Sequence, residues 1–289
     1  MTPASLRSRA GFTLVELLVA MILLVIVGGG MYQSLVVVQR VSRTQSERAA
    51  MQGGLRTGVQ LAVSELQELH ANNPGNTSDL TSMGVSLVRY RAMRGLGLTC
   101  ENASATEIKV WVDNYSGYQV PATPRHDVLL FIDNDSTKSD DDTWAMLDLT
   151  AVANGTCPDG DPAYVLTVTA IPGWNATPDL SSVRVPGPMR TYEVMELGLR
   201  TQNGRDWLGL RSVSSGEEMS PLAGPLETGG VDFRYFDNAT TETALAREVS
   251  MIEMVLRGQT DRGGNIGIGG TTQLLTDTVR VRVQLRNSR

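Results

Sequence analysis

The chain is 289 residues long and 41% of them are hydrophobic, ample material for the core of one domain of ordinary size. Its formal net charge is −6, and its basic residues do not cluster beyond the N-terminal helical region. Composition therefore argues against a nucleic-acid-binding surface, and no nucleic acid is expected as a partner.

The first element is Gly11-Phe12-Thr13-Leu14-Val15-Glu16 with the apolar stretch Leu17–Val27 behind it and a short basic leader, carrying Arg7 and Arg9, in front. As a helix, Phe12 to Val27 covers about 24 Å, and extension through Tyr32 reaches about 30 Å, enough to span a membrane. One carboxylate, Glu16, lies inside this stretch. An ionised acid in hydrocarbon costs on the order of 2.5 kcal/mol or more, so Glu16 calls for a counter-charge and a purpose.

The pattern resembles the type IV prepilin signature. The resemblance implies cleavage by a prepilin peptidase after Gly11, N-methylation of the new terminus Phe12, and pairing of Glu16 with the N-terminal amine of a neighbouring subunit during assembly. Electrostatics agrees with that role, because a buried charge is tolerable only when paired. Two other readings stay open. Arg7, Arg9 and Leu17–Val27 also fit a secretory signal peptide cut near Val27-Gly28-Gly29, or a retained signal anchor with its positive charges held inside. Neither gives the acid a purpose.

Gly28-Gly29-Gly30 follows, each residue costing a helix interior about 1 kcal/mol relative to alanine. The triplet is either the segment that unwinds on assembly, as the resemblance implies, or a close-packing site of small residues. From Gln39 to Gln52 the sequence turns polar and charged and would leave the bilayer. Leu55, Val59, Ala62, Leu66 and Leu69 then recur with helical period, an amphipathic stripe expected to lie beneath a globular head. Asn72-Asn73-Pro74-Gly75-Asn76 is expected to stop the helix.

Beyond Ser86 the chain reads as short strands over 108–112, 128–132, 164–171, 190–199, 207–212, 231–237, 250–257 and 279–286. An antiparallel sheet packed on the amphipathic half-helix follows, with no second domain boundary and with 258–270 as a glycine-rich hairpin connection. Here the resemblance narrows. Tyr90-Arg91-Ala92-Met93-Arg94-Gly95-Leu96-Gly97-Leu98-Thr99-Cys100 resembles the arginine-glycine-cysteine segment of PilW-type minor pilins. The runs 230–237 and 279–287 echo that family's late strands. GspJ-type minor pseudopilins of type II secretion share the architecture and a similar ending.

Cys100 and Cys157 are the only cysteines. Export would carry them into an oxidising compartment, where one disulfide is expected; two buried free thiols are the other reading. Seven Asn-x-Ser/Thr sequons occur, and behind a bacterial-type leader they indicate polar turns. Asp133, Asp135, Asp140, Asp141 and Asp142 concentrate hard oxygen ligands and are candidate calcium ligands, although Lys138 and Trp144 break the EF-hand pattern; otherwise the run is a solvated acidic loop, and no cofactor is required. His70 and His126 read as incidental surface residues beside no nucleophile motif. The glycine-rich 263–270 run has no Gly-Lys-Ser/Thr and is no phosphate loop.

Together these readings describe an α+β, type IV pilin-like chain. It comprises a leader (1–11), a transmembrane and assembly helix (12–70) and a β-rich periplasmic head (71–289), held in the bacterial inner membrane and then in a filament. Its expected role is a non-enzymatic minor pilin that joins other pilins through its N-terminal helix. The alternatives are a pseudopilin of a secretion tip complex, or a pilus-borne head that itself binds a surface or DNA.

Overall fold

The computed structural model describes residues 13–71, 78–102, 104–133, 137–138, 142–171, 180, 183–261, 263–265 and 272–286. Helix α1 (Leu14–Gln67) is one run of 54 residues. Thr13 opens it: its Oγ1 accepts the Glu16 N–H at 3.3 Å, the bond by which an N-cap residue satisfies an orphan donor of the first turn. In the second half of α1 the buried positions are Met51, Leu55, Gly58, Ala62 and Leu66, one face of the helix. The expected stripe is therefore present, but Gly58 occupies its centre and Val59 lies half-buried at its margin. The reason is steric. A Cβ on Gly58 would stand 2.3 Å from the Ala223 Cβ, and a Cβ on Gly258 would stand 2.6 Å from Leu55 Cδ1, so helix and sheet meet where one side lacks a side chain.

Gly28, Gly29 and Gly30 are helical, with open space where each Cβ would be. Helix α1 ends before the 72–76 run, which lies outside the described residues. His70 and Asp79 then tie the two flanks together: the His70 N–H donates to Asp79 Oδ2 at 2.8 Å and the Asp79 N–H to the His70 carbonyl at 2.8 Å.

The strands are β1 (Leu80–Met83), β2 (Leu87–Asn102), β3 (Glu107–Trp111), β4 (Ser116–Gly117), β5 (Asp127–Ile132), β6 (Thr143–Thr156), β7 (Pro162–Ala170), β8 (Pro188–Gln202), β9 (Arg205–Ser212), β10 (Ser220–Phe236), β11 (Met251–Gln259), β12 (Gly264–Asn265), β13 (Thr272–Gln273) and β14 (Thr276–Gln284). All pair antiparallel. The long strands β2 and β8 pair with each other from Leu87↔Gly198 to Leu98↔Pro188 and serve two assemblies. On one side β1-β2-β8-β9-β10-β11-β14 forms a sheet whose inner face, with Tyr90, Leu197, Leu208 and Phe233, joins Leu55 and Leu66 of α1 in one core. On the other, β2-β3-β7-β6-β5-β8 closes on itself as a ring. The ring has its own core of Ile108, Val110, Val128, Leu130, Leu147, Leu166 and Met189, without α1. The expectation of an antiparallel sheet on the half-helix holds, and the ring is an addition to it.

The chain divides into two compact units, Met1–Ala50 with Asp261–Leu275, and Met51–Thr260 with Thr276–Arg289. β11 and β14 pair without a slip from Met251↔Gln284 to Gln259↔Thr276, so the glycine-rich segment between them is a hairpin connection, carrying the small β12–β13 pair.

Candidate functional site

Gly11 and Phe12 lie outside the described residues. Glu16 sits in the first turn of α1, exposed, three residues after the capping Thr13. Its position is that of the acid in a Thr-x-x-Glu capping box, where a carboxylate also complements the positive end of the helix dipole. That local role went unread in the sequence, although the Thr13/Glu16 spacing signals it. Around and beyond Glu16 the helix is bare: Leu14 is 81% exposed and Leu24 73% exposed. Among the described residues α1 is the one helix long and apolar enough to cross a membrane.

Cys100, on β2, and Cys157, just past β6, are joined in a disulfide with their Cα atoms 5.8 Å apart. They are buried with Ala163 and covered by Trp111, so the bond ties the end of a strand shared by sheet and ring to the ring itself.

The acidic run divides. Asp135, Asp140 and Asp141 lie outside the described residues. Asp133 accepts from Arg184 at 3.0 Å, and Asp142 is half-buried. No group of three or more His, Cys, Asp or Glu side chains is placed to hold a metal among the described residues.

The histidines differ from the surface reading. His126 is 1% exposed, and its Nδ1 accepts the Ala122 N–H at 3.1 Å; burial pushes its pKa down. His70 is half-buried at the end of α1, and burial lowers its pKa also. Next in the chain, Asp127 stands directly opposite Asp148 across β5 and β6. Burial, and then the second carboxylate, push Asp127 up from 3.8 to about 6.

Sequence reading also missed the ionic pairing across the sheet. Glu196 on β8 is nearly buried and bridges Arg89 of β2 and Arg211 of β9, both at 2.6 Å. Glu193 is held by Arg94 and Arg125, each at 3.0 Å, and Arg94 reaches back to Glu65 of α1 at 3.1 Å. Glu193 and Glu196 are thus each neutralised by two arginines, as burial of a charge requires.

A family model of the prokaryotic N-terminal methylation motif matches residues 6–32. The match covers Gly11, Phe12, Glu16 and the bare start of α1 as far as Tyr32. It supports a type IV pilin-like protein, structural in kind, and implies processing by a prepilin peptidase and assembly with other pilins. The long apolar helix fits an inner-membrane anchor. No curated protein and no solved structure was found to match the chain.

Proposed function

We propose that the chain is a minor pilin: a subunit cut after Gly11, methylated at Phe12, and built through α1 into a type IV pilus or its initiating complex. The observation that carries the reading is the coincidence of the methylation motif with a helix whose apolar residues, half-buried Val36 apart, are bare from Leu14 through Val41. Such a surface needs lipid first and neighbouring subunits afterwards. Glu16, on this reading, gives its charge to the amine of the adjacent subunit. The periplasmic head, with its disulfide, is what the helix carries. The segment Tyr90–Cys100 runs along β2, the strand shared by sheet and ring, which suits its resemblance to the PilW-type segment.

Intact-mass measurement of the membrane-bound protein tests the reading. A methylated chain beginning at Phe12 supports it. A start near Gly30 indicates a cleaved signal peptide and a retained Met1 a signal anchor, and either would refute it. The same architecture suits a pseudopilin, and loss of pili against loss of protein secretion in a deletion strain separates the two.

A further inference from the structure

A cavity of about 250 Å³ opens where the end of α1 meets β2, β8 and the chain after β14. Its guanidinium groups are not equally committed. Arg94 is ion-paired to Glu65 and Glu193, and Arg91 donates to the Ser78 carbonyl at 3.0 Å. Arg190 and Arg286 have no ion pair among the described residues. Arg190 is nevertheless held in place: its guanidinium lies 4.7 Å from the centre of the Trp144 ring and contacts the Tyr192 hydroxyl. Its Nε is buried without an acceptor. A cation fixed by packing, outside any ion pair and with a buried N–H lacking an acceptor, is pre-organised for an anion.

The other walls restrict which anion. Glu65, Glu68 and Asp79 also line the cavity, so a ligand of several negative charges would be repelled while its hydroxyls would find acceptors. Glu68, one residue past the end of α1, is exposed, and its carboxylate has no hydrogen bond among the described residues. At the rim stands Tyr118, 88% exposed, on a segment held by the pairing of β4 to β2 and by its own N–H to the Arg94 carbonyl at 3.1 Å. An aromatic face in water beside polar acceptors suits the apolar face of a sugar ring. The volume falls just below the roughly 300 Å³ at which pockets for drug-sized ligands begin, and so suits one small group.

We propose that this cavity binds a singly charged carboxylated sugar, a uronic acid residue, with Arg190 and Arg286 on the carboxylate, Glu68 on hydroxyls and Tyr118 against the ring. The site is independent of how the chain is assembled.

Calorimetric titration of the full mature chain in detergent micelles tests it, with D-galacturonate and D-glucuronate as probes and D-galactose and inorganic phosphate as comparisons. A saturable uronate signal is expected, with galactose weaker by about tenfold or more, the worth of a charge-assisted contact. Arg190→Gln and Arg286→Gln should each weaken uronate by a similar factor. Tyr118→Ala should weaken uronate and galactose alike, and Arg56→Gln should change nothing. Arg286 is exposed, so its variant keeps the test valid if loss of the Trp144 stack harms folding in the Arg190 variant. Equal binding of galactose, phosphate binding as tightly as uronate, an unchanged Arg286→Gln, or silence at tens of millimolar uronate would each overturn the proposal.

Discussion

Two roles compete for Glu16, and they predict different losses. As the first-turn acid of α1 it acts on its own helix, where a carboxylate at an exposed N-terminus is worth about 0.3–1 kcal/mol, less than tenfold in any equilibrium. As partner to a neighbour's amine it neutralises a buried ion, and its removal costs about 3–5 kcal/mol, more than roughly a hundredfold in subunit incorporation. Glu16→Gln separates the two, because glutamine serves at the third helical position of a capping box but carries no charge. Thr13→Ala is the converse, since it deletes the Oγ1 that accepts the Glu16 N–H, at about 1 kcal/mol, and spares the acid. The assay is the fraction of mature subunit recovered in sheared filaments, or crosslinked to partner pilins, relative to that in the membrane. Glu16→Gln should be processed normally and nearly absent from filaments, and Thr13→Ala should be processed and incorporated close to wild type. If Glu16→Gln assembles as well as the parent, the acid is a capping residue and its pairing role is refuted.

Gly58→Ala places a Cβ 2.3 Å from the Ala223 Cβ and should cost about 1–3 kcal/mol through forced separation of helix and sheet, seen as a lowered thermal midpoint by circular dichroism; an unchanged midpoint would mean that helix and sheet adjust freely. Replacing both Cys100 and Cys157 by serine opens a crosslink across a sequence separation of 57, for which chain entropy gives about 4 kcal/mol. The denaturant midpoint should fall accordingly, and reduction of the parent should reproduce the shift. Asp127 is raised in the folded state from 3.8 to about 6, so its protonated form favours folding: that contribution is complete below the unfolded value and is lost as pH rises through the folded one. Asp127→Asn should therefore stabilise the chain near pH 7, by about 1–2 kcal/mol once solvent screening of this half-buried group is allowed for, and make little difference near pH 3.5. A difference in urea midpoint that stays constant across that range would refute the raised pKa of Asp127.

What could be read in advance followed local periodicity. The helix, its buried stripe and strands β3, β5, β7, β9, β11 and β14 all carry their pattern within a few residues. β2 did not, because Gly95 and Gly97 interrupt it. Those glycines are there for close approach: a Cβ on Gly95 would lie 2.0 Å from the Tyr115 hydroxyl, and one on Gly97 would lie 2.8 Å from Val110 Cγ1. The first half of β10 was hidden by Pro221, Gly224, Pro225, Gly229 and Gly230, which resemble turn signals but fall where the pairing shifts register. The ring escaped notice because its closure depends on β2 finding β8, which no local pattern records. The cavity escaped for the same reason, since Arg190 and Arg286 come from separate parts of the chain.

The sharing of β2 and β8 also bears on how the head can fold. β2 precedes its partner β8 by roughly a hundred residues. Neither the sheet nor the ring can close without β8, and loops of that span make pairing slow. Cys100 and Cys157 both precede β8 in the chain, so the disulfide between them does not depend on β8 for its closure. Their bond draws the end of β2 toward the hairpins of β5, β6 and β7, and shortens the search that β8 must then complete.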